Sequence, residues 1–396
     1  MTPRQPRDGF VAVQVLIPAP YAAGGDEETL GSCCRIALLG FGTVGSAVAR
    51  RLTSAPRDFQ LTHILDRGAD RKRRALAPPG VAWTTCVDEV LHSDAAIVVE
   101  AIGGIDPAAD WIRAALLAGK SVVTANKQVM ARHGASLLNV AARQGRQLRF
   151  EAAVGGAMPI VRALGDGLAG DRITRLAAIL NGTTNAVLSC MEATGCSLHD
   201  ALAVARSRGF AESDPSTDLD GDDAAAKLAI LCALAFGLRV DPSQIETRSS
   251  AEITADDLAR ARVEGGTIRQ IAYAEYDRET STLIAWVAPV IVPGDSIFAS
   301  ARGAQNAALI IGEHSGETGI LGTGAGGDAT AVAILSDLAA IARDRSAIVP
   351  APVLSSPRMI LGSTTLNAEL AEHAEDDLLC GFSGLCVDRR PYAEVV

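Results

Sequence analysis

The chain has 396 residues, 48% of them hydrophobic, and a formal net charge of -10. That length exceeds one ordinary core and calls for two domains plus excursions. The acidic balance, with no long basic run, argues against nucleic acid or an anionic membrane as the main partner. No apolar stretch reaches the roughly 18–20 residues of a membrane span. The run from Phe10 to Ala19 is broken by Gln14 and Pro18 and makes a poor signal peptide.

In chain order, residues 34–150 alternate short apolar runs with helical patterns. Strands are expected at Arg35–Leu39, Phe59–Leu65, Ala95–Ala101 and Ser121–Ala125. Helices are expected at Thr43–Leu52, Pro107–Ala118 and Gln128–Arg143, with Gly119 closing the second. This cadence implies a doubly wound parallel sheet of the Rossmann kind, covered by helices on both faces. After Phe150 the rhythm changes. Strands at Ile173–Leu180, Ile268–Ala274, Leu283–Val292 and Ala307–Ile311 mix with helices at Thr184–Ala193, Ser197–Arg208, Asp222–Gly237 and Val332–Arg343. The expected organisation is an extension over 1–32, a cofactor domain over 33–150 and an α+β substrate and dimerisation domain over 151–330. A helix over 331–345 then returns to the first domain, and a tail of unassigned role covers 346–396.

The eight cysteines show no zinc spacing. Cys34 and Cys232 fall in apolar segments and read as core residues. Cys380 and Cys386 could pair, but nothing requires it, and a reduced cytoplasmic setting is the simpler reading. Of 36 basic residues only four are lysine: Lys72, Lys120, Lys127 and Lys227. A lysine kept in so arginine-rich a chain suits work arginine cannot do, which is to give up a proton. For Lys72 and Lys120, in polar turn-like contexts, chance retention is the accepted reading.

Gly40-Phe41-Gly42-Thr43-Val44-Gly45 directly follows a buried strand and opens a helix. That context turns a weak glycine pattern into a dinucleotide-binding loop. Gly40 permits the turn, Gly42 lets the pyrophosphate approach, and Gly45 lets helix and strand pack closely. Asp66 follows Gly45 by roughly 20 positions, the usual place of the acid that takes the ribose 2′-hydroxyl of NAD. Arg67, with Arg71, Lys72, Arg73 and Arg74, could instead hold the 2′-phosphate of NADP. Asn126 and Lys127 stand just past a strand's C-terminal end, where open α/β sheets bind ligands. Asn181-Gly182-Thr183-Thr184-Asn185 is a polar strand-to-helix turn. Asp223 and Lys227 are spaced i, i+4 on one helix face, just before an apolar run.

With Glu151 to Pro159, Gly209 to Lys227, Asn306-Ala307 and Gly322-Thr323-Gly324-Ala325-Gly326, these motifs fall in one order from about Cys34 to Arg343. In that order the chain resembles the homoserine dehydrogenase family. The resemblance implies reversible NAD(P)-dependent oxidation of L-homoserine to L-aspartate 4-semialdehyde by a homodimer. It implies that Lys227, Lys127 and Asp223 carry the catalysis. It places Gly209, Glu212, Asp223 and Thr183 at the substrate, and Gly40 to Gly45, Asp66, Arg67, Lys127 and Gly326 at the cofactor. Glu151, Val154, Gly156 and Met158 match a monovalent-cation site, such as one for Na+, built mainly of backbone carbonyls. Departures include Ala226, where the family usually has arginine, and Asp328, where proline is frequent. The last segment lacks the pattern of the family's regulatory module, so threonine feedback is not expected. Two alternatives stay open: a related amino-acid-pathway reductase with another small substrate, and a non-catalytic NAD-sensing protein.

Overall fold

The computed structural model describes residues 33–54, 59–70, 72, 80–211 and 214–360. The extension over 1–32 and residues 361–396, including Cys380 and Cys386, lie outside the described residues. Six strands form the first sheet: β1 (Cys34–Leu39), β2 (Phe59–Leu65), β3 (Ala82–Thr84), β4 (Ile97–Glu100), β5 (Ser121–Thr124) and β6 (Leu148–Arg149). Their order is β3-β2-β1-β4-β5-β6, and every pairing is parallel. The strand order reverses between β1 and β4, which opens a crevice at their C-terminal ends. Leu39 pairs with both Leu65 and Glu100, and Glu100 with Thr124, so those ends are level.

The second sheet is mixed. Its strands are β7 (Ile173–Ile179), β8 (Glu246–Thr247), β9 (Gly266–Asp277), β10 (Thr282–Pro293), β11 (Gln305–Gly312), β12 (Gly316–Thr323) and β13 (Arg358–Ile360). The order is β12-β11-β7-β9-β10-β13, with β8 beside β10. The chain is thus α/β, with a parallel Rossmann-like sheet and a mixed-sheet second domain. Several elements go beyond the expected set, among them the short strands β3, β6, β8 and β13, the strand β12 and a helix at Ala255–Val263. β12 is a glycine-rich strand with alternating exposure and a weak apolar signal. A helix at Ala255–Val263 buries only Asp257, Leu258 and Ala261. Among the described residues, no helix is long and apolar enough to cross a membrane.

Packing between the two halves is what builds the site. One continuous apolar cluster starts on the first sheet at Leu39, Val98 and Val122. It passes through Val129, Leu137 and Leu138 of the helix Lys127–Arg143, and through Leu228, Ile230 and Leu231 of the helix Asp222–Phe236. It ends on the second sheet at Leu176, Ala272 and Val287. Both helices bury their apolar sides here, and removing that surface from water holds their N-terminal ends together. The helix Gly327–Arg343 lays Ala331, Ile334 and Leu338 against Val48 and Leu52 of the helix Thr43–Ser54.

The lysine reading needs correction at two positions. Lys120 is buried, and its ammonium donates to the carbonyls of Ser93 at 2.7 Å and Ala95 at 2.8 Å. Lys72 donates to Asp66 at 2.7 Å and to the Phe41 carbonyl at 2.9 Å. Neither is a surface lysine kept by chance.

Candidate active site

The glycine loop leaves β1 at Gly40, whose φ is +95°. A Cβ there would stand 2.6 Å from the Ala101 carbonyl oxygen, and one on Gly45 would stand 2.0 Å from that of Gly40. Beside Gly42 nothing lies within 4 Å. The loop is therefore closed against protein on two sides and open at Gly42. Thr43 and Val44 begin the helix there, with its free N–H groups and positive end. That cradle fits the pyrophosphate of a dinucleotide. The Phe41 ring is buried, edge-on to Trp83 at 4.8 Å, so its side chain belongs to the core and only its backbone to the loop.

Asp66 is already engaged. It accepts from the Phe41 N–H at 2.8 Å, the Gly68 N–H at 2.7 Å and Lys72. Burial alone would raise its carboxyl; Lys72 and the two N–H groups outweigh that and hold it below the usual value. Arg67 is exposed beside it, whereas Arg71, Arg73 and Arg74 lie outside the described residues. Gly326, at φ +108°, precedes the helix Gly327–Arg343. A Cβ on Gly327 would touch the Thr43 carbonyl oxygen at 2.9 Å, so this segment leans on the cofactor loop.

Three helix N-termini converge on Asp223. Asn126 caps the helix Lys127–Arg143 by accepting from the Val129 N–H at 3.1 Å. Asn181 caps the helix Gly182–Thr194 by accepting from the Thr184 N–H at 2.8 Å. The helix Asp222–Phe236 starts after Gly221, at φ +90°, where a Cβ would press on Val287 at 3.0 Å. Its first turn carries Asp223, favoured there by the helix dipole. Lys227, one turn on, donates to Asp223 Oδ2 at 2.7 Å and to the Leu180 carbonyl at 2.8 Å. Lys127 reaches across and pairs with Oδ1 of the same carboxylate. Asn181 donates its amide to Asp223 at 2.9 Å and to Asp218 at 2.7 Å.

Burial would raise the Asp223 carboxyl, but Lys227 and Lys127 together hold it far below the usual carboxylate range. Asp218 goes the other way. Burial and the charge of Asp223 outweigh Asn181 and the lysines and raise it. Asp218 was not singled out from sequence. It sits in a dense carboxylate run, and only the fold brings it to Asn181.

Thr183 is buried and donates to the Phe210 carbonyl at 2.6 Å, which ties the polar turn to the segment after Gly209. Gly209 has φ +74° and is exposed. Glu212 lies outside the described residues. Glu151, Val154 and Met158 are buried, and Gly156 packs on the backbone of Thr323 and Gly324. The Glu151 carboxylate accepts from the Val161 and Arg162 N–H groups, each at 2.9 Å. Burial and the nearby Asp337 push the Glu151 carboxyl up to about 7. Among the described residues, no three His, Cys, Asp or Glu side chains gather as metal ligands.

An open parallel sheet with a glycine cradle at its reversal point, facing a buried carboxylate between two lysines, defines an NAD(P)-dependent oxidoreductase acting on a small molecule. Comparison with known proteins narrows this. Residues 40–151 match the model for the NAD-binding domain of homoserine dehydrogenase, and 159–339 the model for homoserine dehydrogenase itself. The homoserine dehydrogenase of Corynebacterium glutamicum is 39% identical over 87% of this chain and 81% of its own. That of Bacillus subtilis is 36% identical over 78% and 73%. A crystal structure of the Thiobacillus denitrificans homoserine dehydrogenase superposes with a TM-score of 0.76, at 34% identity, over 83% of this chain and 79% of that one. A hyperthermophilic archaeal homoserine dehydrogenase in complex with NADPH does so at 0.66, with 27% identity, over 80% and 99%. The chain belongs to the homoserine dehydrogenase family and is an enzyme of that activity. The related reductase and the non-catalytic sensor are thereby set aside.

Proposed function

We propose that Lys227 is the proton-transfer residue of homoserine oxidation, that Asp223 holds it, and that Lys127 completes the centre from the cofactor domain. The observation that carries this reading is the single buried carboxylate bridging both ammonium groups. A bound nicotinamide cofactor supplies or takes up the hydride, cradled by Gly40 to Gly45. In the reducing direction, negative charge gathers on the aldehyde oxygen of the semialdehyde. The Lys227 ammonium stabilises that charge and then delivers its proton. In the oxidising direction the amine takes the proton from the homoserine hydroxyl. Two N–H bonds of Lys227 are fixed by Leu180 and Asp223, which aims the third. Thr183, Gly209, Glu212 and Asp223 form the substrate side, and the carboxylates suit the amino group of homoserine.

Replacing Lys227 by alanine is expected to abolish turnover while reduced-cofactor binding, followed by nicotinamide fluorescence, stays intact. Wild-type-like turnover in that variant would refute the assignment. We further propose that either nicotinamide cofactor is accepted. Asp66 suits the ribose hydroxyl of NAD, whereas Lys72 partly neutralises it and leaves cations for a 2′-phosphate. A monovalent cation such as Na+ is proposed at the carbonyls of Glu151, Val154, Gly156 and Met158. The expected oligomer is a homodimer. The half-exposed Ile284, Trp286, Val290 and Leu309 on one face of the second sheet support that reading. The cytoplasmic setting is supported by free thiols at Cys33, Cys34, Cys86, Cys190, Cys196 and Cys232.

A further inference from the structure

Glu100 ends β4 at the crevice and is fully buried. In sequence it is only the polar end of the run Ile97-Val98-Val99. In the structure four donors converge on it. Its Oε1 accepts from the Ile102 N–H at 2.8 Å, the Gly103 N–H at 3.3 Å and the Asn126 amide at 3.5 Å. Its Oε2 accepts from the Thr124 hydroxyl at 2.5 Å. A carboxylate withdrawn from water is costly unless its oxygens are satisfied, and here both are.

The groups it holds lead in two directions. Towards the cofactor, Glu100 shapes the loop Ala101–Gly104, and the Ala101 carbonyl is the wall that Gly40 must pass. Towards the substrate, the Thr124 hydroxyl accepts from the Asn126 N–H at 3.0 Å, and the Asn126 amide donates to the Gly104 carbonyl at 2.6 Å. Asn126 also caps the helix whose first residue is Lys127, the partner of Asp223. One side chain thus ties the loop behind the glycine turn to the base of an active-site lysine.

We infer that Glu100 is a positioning residue, which fixes the Lys127 ammonium on Asp223 and holds the crevice loop against Gly40. This rests on the reading that Lys127 works in the site. The test uses the full chain with Glu100→Gln and, in parallel, Asn126→Ser, which keeps a helix cap but loses the amide bonds to Glu100 and Gly104. Two readouts are taken. One is the rate at which acetic anhydride labels each lysine, resolved by mass spectrometry and practical with only four lysines. The other is kcat for homoserine oxidation against KM.

The expected result is that both variants lower kcat by about 10- to 100-fold, the usual scale for losing a supporting bond behind an active group. KM for homoserine should change less. Lys127 should label several times faster, with Lys120 and Lys227 unchanged. A residue that merely stabilises the fold would lower Tm and leave kcat and Lys127 labelling as they are, and that outcome in either variant overturns the inference. Wild-type protein without homoserine oxidation would defeat the reading of the site itself. An active wild type with unaltered variants defeats only the role of Glu100.

Discussion

Asp223→Asn tests the site most sharply, because the change is nearly isosteric and removes one charge. Asp223 Oδ1 takes Lys127, while Oδ2 takes Lys227 and Asn181. An asparagine offers one oxygen and one NH2 group. Whichever way it turns, donor meets donor on one side, and both ammonium groups lose their counter-charge. Breaking a buried pair by removing one partner costs about 3–5 kcal/mol. The Lys127 side chain is 36% exposed, so solvent screens part of its share and the lower figure applies, about 3 kcal/mol. For a chain of this size that is a Tm drop of roughly 4 °C. With Lys227 as the proposed proton-transfer group, turnover should fall by more than about 100-fold, since its ammonium is no longer aimed.

The sign of the pH dependence follows from the lowered Asp223 carboxyl. A depressed carboxyl contributes stability that is present above its unfolded value of 3.8 and lost as pH falls through its folded value. The Tm gap between wild type and Asp223→Asn should therefore be constant from pH 5 to 8 and shrink only in stronger acid. Scanning fluorimetry measures the gap, and absorbance of the reduced cofactor measures turnover. A variant with kcat within threefold of wild type and Tm within 2 °C would show that the bridge carries neither function nor stability.

Three further outcomes are expected. Lys120→Met strands the Ser93 and Ala95 carbonyls and should cost about 2 kcal/mol by denaturant unfolding, with kcat unchanged; a loss of activity at full stability would contradict its structural role. Lys72→Ala should lower kcat/KM for NADP about 10-fold more than for NAD, because it removes a cation and frees Asp66; equal effects on both cofactors would refute the 2′-phosphate reading. The Glu151 carboxyl, raised from 4.5 to about 7, favours its protonated form in the fold, so Tm should decline as pH rises between those values. Glu151→Gln should flatten that decline. Na+, compared with tetramethylammonium at equal ionic strength, should restore wild-type Tm at pH 8, and no difference between the two would count against the cation site.

The features legible in the sequence are those whose physics is local. A buried strand, three glycines and a helix start lie within a dozen residues, so the cofactor cradle could be placed. Asp223 and Lys227 share one turn, so their pairing could be placed as well. Most of the site features that escaped depend on contacts far apart in the chain. Asp218 matters through Asn181, and Glu100 through Thr124 at the end of the next strand and Asn126 just beyond it. Asp66 stands at the spacing of the ribose acid, but its bonds to Lys72 and the Phe41 N–H come from the fold and not from that spacing. β12 escaped because glycines and an exposed face leave little apolar alternation. The helix Ala255–Val263 had a usable signal, since Thr254 and Asp257 form a reciprocal capping box.

The scarcity of lysine has a second explanation beside proton transfer. All four lysines are tied to acceptors, but only Lys127 and Lys227 meet at Asp223, the proposed reacting centre. Lys120 sits between two backbone carbonyls, and Lys72 between a carbonyl and a carboxylate. A compact ammonium can serve two acceptors that meet at one point, whereas a planar guanidinium spreads its donors in a fork. Lysine therefore persists here wherever acceptors converge on a single point, buried or functional. At Asp223 that geometry meets the proposed chemistry: one carboxylate gathers two point charges, and in the proposed mechanism one of those charges leaves as a proton.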